Sequence, residues 1–225
     1  MIFPIGDENV KGGHPPIFSY GFIVVNLIVF IFQLTMDGDE LRQFFFTFGS
    51  IPKVVLNGDN YFSLFSSMFL HSGLMHIIGN MIFLWVFADN IEAVIGNANF
   101  LLFYLLGGLF ASAGHILFNI DSNIPSVGAS GAISAVLGAY IVLFPKSRIK
   151  VLFFIKIFYV SAFLFLGFWI IQQVISGFSN MGPETAQSSG VAWWAHIGGF
   201  VFGVAAGFFF KKRGYMNKVE YNPKA

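Results

Sequence analysis

The sequence predicts an all-α membrane protein, a bundle of six transmembrane helices with an interfacial first loop. Three observations predict it. Of 225 residues, 56% are hydrophobic and only 10% are charged, where a soluble domain carries about 25% charged residues. The apolar residues collect in runs long enough to cross ~30 Å of hydrocarbon, which takes about 20 residues of helix. The basic residues fall almost entirely on one side of those runs.

In chain order the expected spans are Ile17 to Thr35, Leu74 to Phe87, Phe100 to Phe118, Val127 to Pro145, Val151 to Ile175 and Trp193 to Phe210. The second is short if it starts at Leu74, but apolar residues continue upstream through Phe62, Leu64, Phe65, Met68 and Leu70. Met1 to Pro16 carries Asp7, Glu8 and Lys11 and lacks the basic start and short apolar core of a cleavable signal. Insertion is therefore expected to use the first span itself.

Orientation follows from Lys and Arg near the span ends. With the amino terminus inside, the inner segments hold Lys11, Lys146, Arg148, Lys150, Lys156, Lys211, Lys212, Arg213, Lys218 and Lys224 of the 12 basic residues. Only Arg42 and Lys53 remain outside, beside Asp37, Asp39, Glu40, Asp59, Asp121 and Glu184. Both termini are thus expected in the cytoplasm of a plasma-membrane protein whose site opens outward. Between the first two spans, Met36 to Ser72 is long and aromatic, with Phe44, Phe45, Phe46 and Phe48 interrupted by Gly49, Pro52 and Gly58. Such a loop is expected to lie in the interface as short helices. The domain reading is a short N-terminal segment over 1–16, one bundle over 17–210 and a basic tail over 211–225.

With no cysteine, disulfides, zinc-thiolate sites and a Cys nucleophile are excluded. A net charge of +1 predicts no nucleic-acid partner. What remains is polar chemistry inside apolar spans, where side chains are costly and become functional candidates. Three places qualify: His71, His76 and Asn80 at the second span, Ser130 at the start of the fourth, and His196 near the start of the sixth. Ser130 precedes Lys146 by 16 residues and His196 precedes Lys211 by 15, about 24 Å and 22 Å of helix rise. The two land at nearly one height.

The fourth span carries Gly131, Ala135 and Ala139, and the sixth carries Ala195, Gly199, Gly203 and Gly207. Small residues at intervals of four let helix backbones approach closely. A hydroxyl and an imidazole at equal depth on such helices meet the requirement for a base-activated nucleophile. No Asp or Glu falls in the last three spans, so the pair would be a dyad. His76 and Asn80 share one helix face and can both present N–H donors. With the unpaired first-turn N–H groups near Ser130, and with Gly128 and Gly131 permitting close approach, they could hold an oxyanion.

Each element also has a plainer explanation. Gly-Ala-Ser-Gly occurs in packed membrane helices, and its spacing departs from the Gly-x-Ser-x-Gly elbow of soluble hydrolases. His196 could be a polar helix contact. His76 with Asn80 could be an interhelical clamp or part of a transporter site, and a metal site shared by His71 and His76 would lack carboxylate or thiolate support. His14 and His115 are read as non-catalytic.

Taken together, the chain resembles the rhomboid intramembrane serine proteases from Ile17 to Phe210. His71, His76 and Asn80, within Phe69-Leu70-His71-Ser72-Gly73-Leu74-Met75-His76-Ile77-Ile78-Gly79-Asn80, resemble the family's His-x4-His-x3-Asn signature. Gly128-Ala129-Ser130-Gly131 resembles its nucleophile motif, and Ala195-His196-Ile197-Gly198-Gly199 its general-base helix. The resemblance implies Ser130 as nucleophile and His196 as general base. It also implies His76, Asn80, Gly128 and backbone N–H groups around Ser130 as the oxyanion and substrate site, with His71 supporting the local structure. By the same resemblance the loop from Met36 would be a membrane-embedded wing, and the fifth span with 174–190 a gate and cap. No cofactor or metal is implied, and the partners would be membrane-protein substrates in the lipid bilayer.

Two positions depart from the pattern. Members often have Trp-Arg where this chain has Phe62-Ser63, and some place a Tyr against the base where this chain has Ser134. The expected activity is a serine endopeptidase cutting transmembrane segments. The alternatives are a non-catalytic membrane-protein binder and a small transporter. A binder needs no Ser130 paired with His196, and a transporter should show internal repeats or carboxylates in its spans.

Overall fold

The computed structural model describes residues 2–8, 10–180 and 191–221. Its helices are α1 (Ile17–Gln33), α2 (Gly38–Phe48), α3 (Pro52–Leu56), α4 (Ser63–Ser66), α5 (Leu74–Ile95), α6 (Asn97–Phe118), α7 (Ser130–Leu143), α8 (Ala162–Ser179) and α9 (Trp193–Lys212). Helices α5, α6, α8 and α9 are long and apolar enough to cross a membrane, while α1 and α7 are shorter apolar helices of 17 and 14 residues.

Helix α7 stands at the centre. Gly131 to Tyr140 are all buried, so protein encloses the helix on every side, with no face left for lipid. At 14 residues it rises only about 21 Å. Its amino terminus therefore lies below one end of its longer neighbours and is reached by a non-helical segment. Helices α1 and α8 lie at the periphery: Val24, Ile28 and Ile31 on α1 and Phe163, Phe168, Ile171 and Ile175 on α8 are exposed, as lipid-facing residues must be.

Glycine sets the approach of α7 to α9. A Cβ built at Gly199 would fall 2.1 Å from the Gly131 carbonyl oxygen, one at Gly203 1.9 Å from that of Ala135, and one at Gly138 2.2 Å from that of Phe200. The two stripes expected to touch do touch, backbone against backbone. Helix α6 joins the same seam, where Gly114 lies against the Trp194 carbonyl and Gly198 against that of Phe110.

Between α1 and α5 the chain forms the expected short helices. Asp37 caps α2 by accepting from Asp39 N and Glu40 N, while Glu40 accepts from Asp37 N, a capping box. A 3-10 turn, Ser67–Phe69, follows α4.

Two expectations are corrected here. The fold is mostly helical but not all-α: β1 (Ile2–Gly6), β2 (Arg148–Phe153) and β3 (Lys156–Ser161) form an antiparallel sheet in the order β1-β2-β3. The segment expected to begin the fifth span at Val151 is instead the β2–β3 hairpin, and α8 starts at Ala162. An apolar run reads alike as strand or helix when only hydropathy is counted. The period decides it: Ile149 and Val151 are buried while Arg148 is exposed and Lys150 and Leu152 are half-buried, an alternation of two that stops at Phe153, where the strand ends. Lys150 and Lys156 then stand on strands beside the bundle rather than inside it. Phe154 turns the hairpin with φ 54°, and Ile155 at its tip is 92% exposed.

The second span also runs past its expected end at Phe87, to Ile95. Glu92 belongs to this extra length and is fully buried, accepting from Phe18 N (2.9 Å), Ser19 N (2.7 Å), Ser19 Oγ (2.6 Å) and Asn97 Nδ2 (2.6 Å). A carboxylate against the first-turn N–H groups of α1 satisfies those donors and meets the positive end of the helix dipole. The charge does not end the helix because another helix needs it.

Asp7, just after β1, fastens the N-terminal segment to the bundle. Its carboxylate meets the hydroxyl of Tyr140 and accepts from Asn90 Nδ2 at 2.7 Å. Burial, with the nearby Asp89 and Glu8 carboxylates adding, pushes its pKa up from 3.8 to about 7 against the lowering effect of those hydrogen bonds. Between 3.8 and about 7 the folded state keeps a proton that the unfolded chain has lost, so stability falls as pH rises through that window.

Two predictions follow from this packing. Gly203→Ala should lower the thermal midpoint in detergent, at a cost of about 1–3 kcal/mol, whereas Gly167→Ala on α8, where nothing lies within 4 Å, should cost nothing. Asp7→Asn should flatten the decline in thermal midpoint that the wild type shows between pH 4 and pH 7. Equal slopes in the two proteins would remove Asp7 as its source.

Candidate active site

The chain reaches α7 through a strapped segment. Ser50 N donates to Ser126 O (3.0 Å) and Ser126 N to Ser50 O (2.8 Å), while Gly128 N donates to Ser67 O at 2.8 Å. The long first loop thereby holds the approach to Ser130 from outside the bundle. Gly128 has φ 130°, a backbone region nearly closed to residues with a Cβ. A Cβ there would also lie 2.8 Å from His76 Nε2 and 3.7 Å from Asn80 Nδ2. Gly128 thus works by having no side chain, since its N–H is already given to Ser67.

Ser130 is the first residue of α7 and His196 stands in the first turn of α9. The glycine seam brings Ser130 Oγ to 2.8 Å from His196 Nε2. At its other nitrogen, His196 Nδ1 lies 2.7 Å from Gln173 Oε1 on α8. Two indoles flank the imidazole, Trp169 with centroids 5.8 Å apart and Trp193 edge-on at 6.3 Å. At the position of the absent Tyr, Ser134 turns back and donates to the Ser130 carbonyl at 2.6 Å. Gly199 packs against Ser134 Cβ at 3.3 Å from its own would-be Cβ, so a larger side chain at 134 has little room there.

Helix α5 supplies the other polar face. Ser72 N (3.4 Å) and Ser72 Oγ (2.9 Å) both approach His76 Nδ1. A backbone N–H only donates, so Nδ1 is the acceptor and Nε2 carries the proton, directed at Gly128. Asn80 Nδ2 lies 2.9 Å from His71 Nε2, and its amide has a second N–H to offer. The His71 backbone is clasped from α1: His71 N donates to Gln33 Oε1 (3.0 Å) and Gln33 Nε2 donates to His71 O (2.8 Å).

Ser130, His196, His76, Asn80 and Gly128 therefore gather around the amino terminus of α7, and His71 touches the group through Asn80. Gln33, Trp169 and Gln173 went unread in the sequence as parts of this group. Gln33 carried a usable signal, an amide inside an apolar span, and so did the adjacent Gln172 and Gln173, though not which of the two would face His196. Of the segment read as gate and cap, α8 is present to Ser179, and 181–190 lies outside the described residues.

Residues 58–213 match the family model described as Rhomboid domain. The chain belongs to the rhomboid family. Relatives similar to this rhomboid include the Rhomboid protease GluP of Bacillus subtilis, 30% identical over 133 residues, which are 59% of this chain and 26% of that protein. Rhomboid protein 1, mitochondrial, of Saccharomyces cerevisiae is 28% identical over 88% of this chain and 55% of its own length. Presenilin-associated rhomboid-like protein, mitochondrial, of Homo sapiens is 27% identical over 82% of this chain and 46% of its own. The chain thus spans from about a quarter to about half of these curated relatives.

The expected plasma-membrane location is overturned by these matches. Relatives covering 82% and 88% of the chain are mitochondrial by name, and basic residues at span ends report a side of the bilayer without identifying the membrane. The multi-pass membrane character of this rhomboid stands.

Gln33→Leu should remove both clasping bonds and leave the buried His71 N–H and carbonyl unpaired. The expected loss is about 2–4 kcal/mol, read as a lower thermal midpoint, while Asn26→Leu on the same helix, whose amide bonds only within α1, should cost less.

Proposed function

We propose that this rhomboid is an intramembrane serine endopeptidase that cleaves transmembrane segments of other membrane proteins. The observation that carries the proposal is the 2.8 Å separation of Ser130 Oγ and His196 Nε2 at the sunken amino terminus of α7. In this reading α1 and α7 complete a six-span bundle with the four longer helices, and residues 17–210 form the protease domain. The short helices between α1 and α5 lie in the interface as a wing, with 1–16 and 211–225 as flanking segments.

The chemistry follows from the donors and acceptors. Ser130 Oγ attacks the scissile carbonyl carbon as His196 Nε2 takes the hydroxyl proton, giving a tetrahedral oxyanion. His76 Nε2–H, the free N–H of Asn80 and first-turn N–H groups of α7 would receive that charge. Gly128 leaves room for the oxygen beside His76. The imidazolium then passes its proton to the leaving amine nitrogen, the C–N bond breaks, and an acyl-enzyme remains. Water, deprotonated by the same imidazole, hydrolyses the ester and returns the proton to Ser130. Polar side chains at membrane depth line a water-reachable recess, since lipid tolerates neither irregular backbone nor unpaired polar groups. A substrate must unwind locally, because an intact helix engages its carbonyls in internal bonds. Substrates with Gly or Pro near the cut should therefore be favoured.

The test is reconstitution in liposomes with a transmembrane reporter carrying such residues. Ser130→Ala and His196→Ala should each lower cleavage by roughly 10³-fold or more, and His76→Ala by about 10²–10³-fold. A fluorophosphonate should label the wild type and not Ser130→Ala. Cleavage undiminished in both Ser130→Ala and His196→Ala would overturn the dyad, whereas no cleavage by the wild type and no fluorophosphonate labelling would overturn the protease reading and leave a membrane-protein binder or transporter.

A further inference from the structure

The contact between α8 and the imidazole has no counterpart in the expected dyad. We infer that Gln173 is a positioning residue that fixes which nitrogen of His196 carries the proton, an inference that rests on the protease reading for its kinetic consequence. Gln173 is 4% exposed, and its Oε1 lies 2.7 Å from His196 Nδ1. Its other amide atom, Nε2, faces the Trp169 carbonyl one turn back at 3.4 Å. A carbonyl only accepts, so the amide must present N–H to Trp169 and oxygen to His196. The reverse orientation would set oxygen against oxygen.

An amide oxygen also only accepts, which places a proton on Nδ1 of His196. A neutral imidazole has one N–H, so Nε2 keeps its lone pair, and that lone pair faces Ser130 Oγ at 2.8 Å. The hydroxyl donates and the imidazole accepts, the arrangement that proton removal requires. The other tautomer would aim an N–H at Oγ and a lone pair at Oε1, leaving the base unable to act and two buried acceptors opposed. When His196 gains its second proton during attack, Oε1 still accepts from Nδ1 and stabilises the cation by a dipole rather than a charge. A third member of the site is thus an uncharged amide from a third helix. The spans without carboxylates still contain an orienting group.

The experiment uses full-length protein in liposomes. Wild type, Gln173→Leu, Gln173→Met and Gln173→Glu are compared by the cleavage assay and by 15N NMR of histidine-labelled protein, with the His196 signals assigned by their loss in His196→Ala. In the wild type at neutral His196, Nδ1 should give the protonated-nitrogen signature and Nε2 the lone-pair signature. The Leu and Met variants, which have no acceptor, should move toward the reverse and lose about 10²-fold or more in kcat with KM changed less than about twofold. Gln173→Glu restores an acceptor, so it should restore the Nδ1–H signature and most of kcat. A variant with the wild-type thermal midpoint that keeps both the tautomer and kcat would overturn the inference, as would failure of Glu to rescue. If instead the tautomer follows Gln173 but the wild type does not cleave, the protease reading falls while the positioning of His196 stands, so the two failures are separable.

Discussion

Everything at the site depends on how closely α7 and α9 approach. Side chains of ordinary size keep helix axes 8–10 Å apart, and in lipid there is no hydrophobic effect between helices to press them closer. Gly199 and Gly203 on one helix, with Gly131 and Ala135 on the other, remove the side chains that would intervene, so carbonyl oxygens lie where a Cβ would otherwise be. Ser130 is the first residue of α7 and His196 stands beside Ala195 and Gly199 on α9, so the same seam sets the distance between Oγ and Nε2. Loosening the seam by one methyl group would displace an entire helix rather than a single side chain, and hydrogen-bond reach would be lost with it.

A second constraint is that polar groups brought into this apolar body need partners, and most at the site have them, although His71 Nδ1, Asn26 Oδ1 and Tyr104 Oη are buried without one. Glu92 finds three donors at the start of α1 and a fourth on Asn97, Gln33 clasps the backbone of His71, and Asn80 meets His71 while Ser72 meets His76. The Glu92 and Gln33 bonds join α1 to α5 and to the chain just before it, and the shorter-range pairs tie that chain to α5 itself. They do for orientation what side-chain packing does for the core, because an unmatched amide in such surroundings costs more than a lost van der Waals contact. The strapping of Ser50 to Ser126 and of Gly128 to Ser67 extends the same logic to the irregular backbone leading down to Ser130.

What could be read from the sequence follows from these two constraints. The depth of Ser130 and His196, the small-residue stripes and the shared face of His76 and Asn80 are properties of single helices, and spacing along a helix reports them directly. Pairings across elements are not local in this sense. Nothing in Gln33 says which carbonyl it will clasp, and Gln173 stands beside Gln172 with nothing to say which of the two will meet a partner 23 residues later. The β2–β3 hairpin was hidden for another reason: its apolar side chains add to those of α8 in any hydropathy window, and only the alternation of Ile149 and Val151 separates strand from helix. Nor does the sequence say that Glu92 stays within α5, its carboxylate held by donors at the start of α1 and on Asn97. The name of the membrane is not in the charge pattern at all.

The position of Ser134 ties these threads to the base. A ring at that position would have to fit where Gly199 now lies against Ser134 Cβ, so close helix approach and an aromatic platform from α7 compete for one space. With Ser134 folded back onto its own helix, the imidazole takes its platform from Trp169 and its hydrogen-bond partner from Gln173, both on α8. Helix α8 is also among the most lipid-exposed elements, with Phe163, Phe168, Ile171 and Ile175 turned outward. The positions of Ser130 and His196 are thus set by the close seam of α7 and α9, whereas the orientation of the imidazole is set by contacts from the peripheral α8. A displacement of α8 away from α9 would leave Oγ and Nε2 on their seam yet remove the acceptor from Nδ1. Distance and tautomer, both needed for proton transfer, are in this fold controlled by different helices.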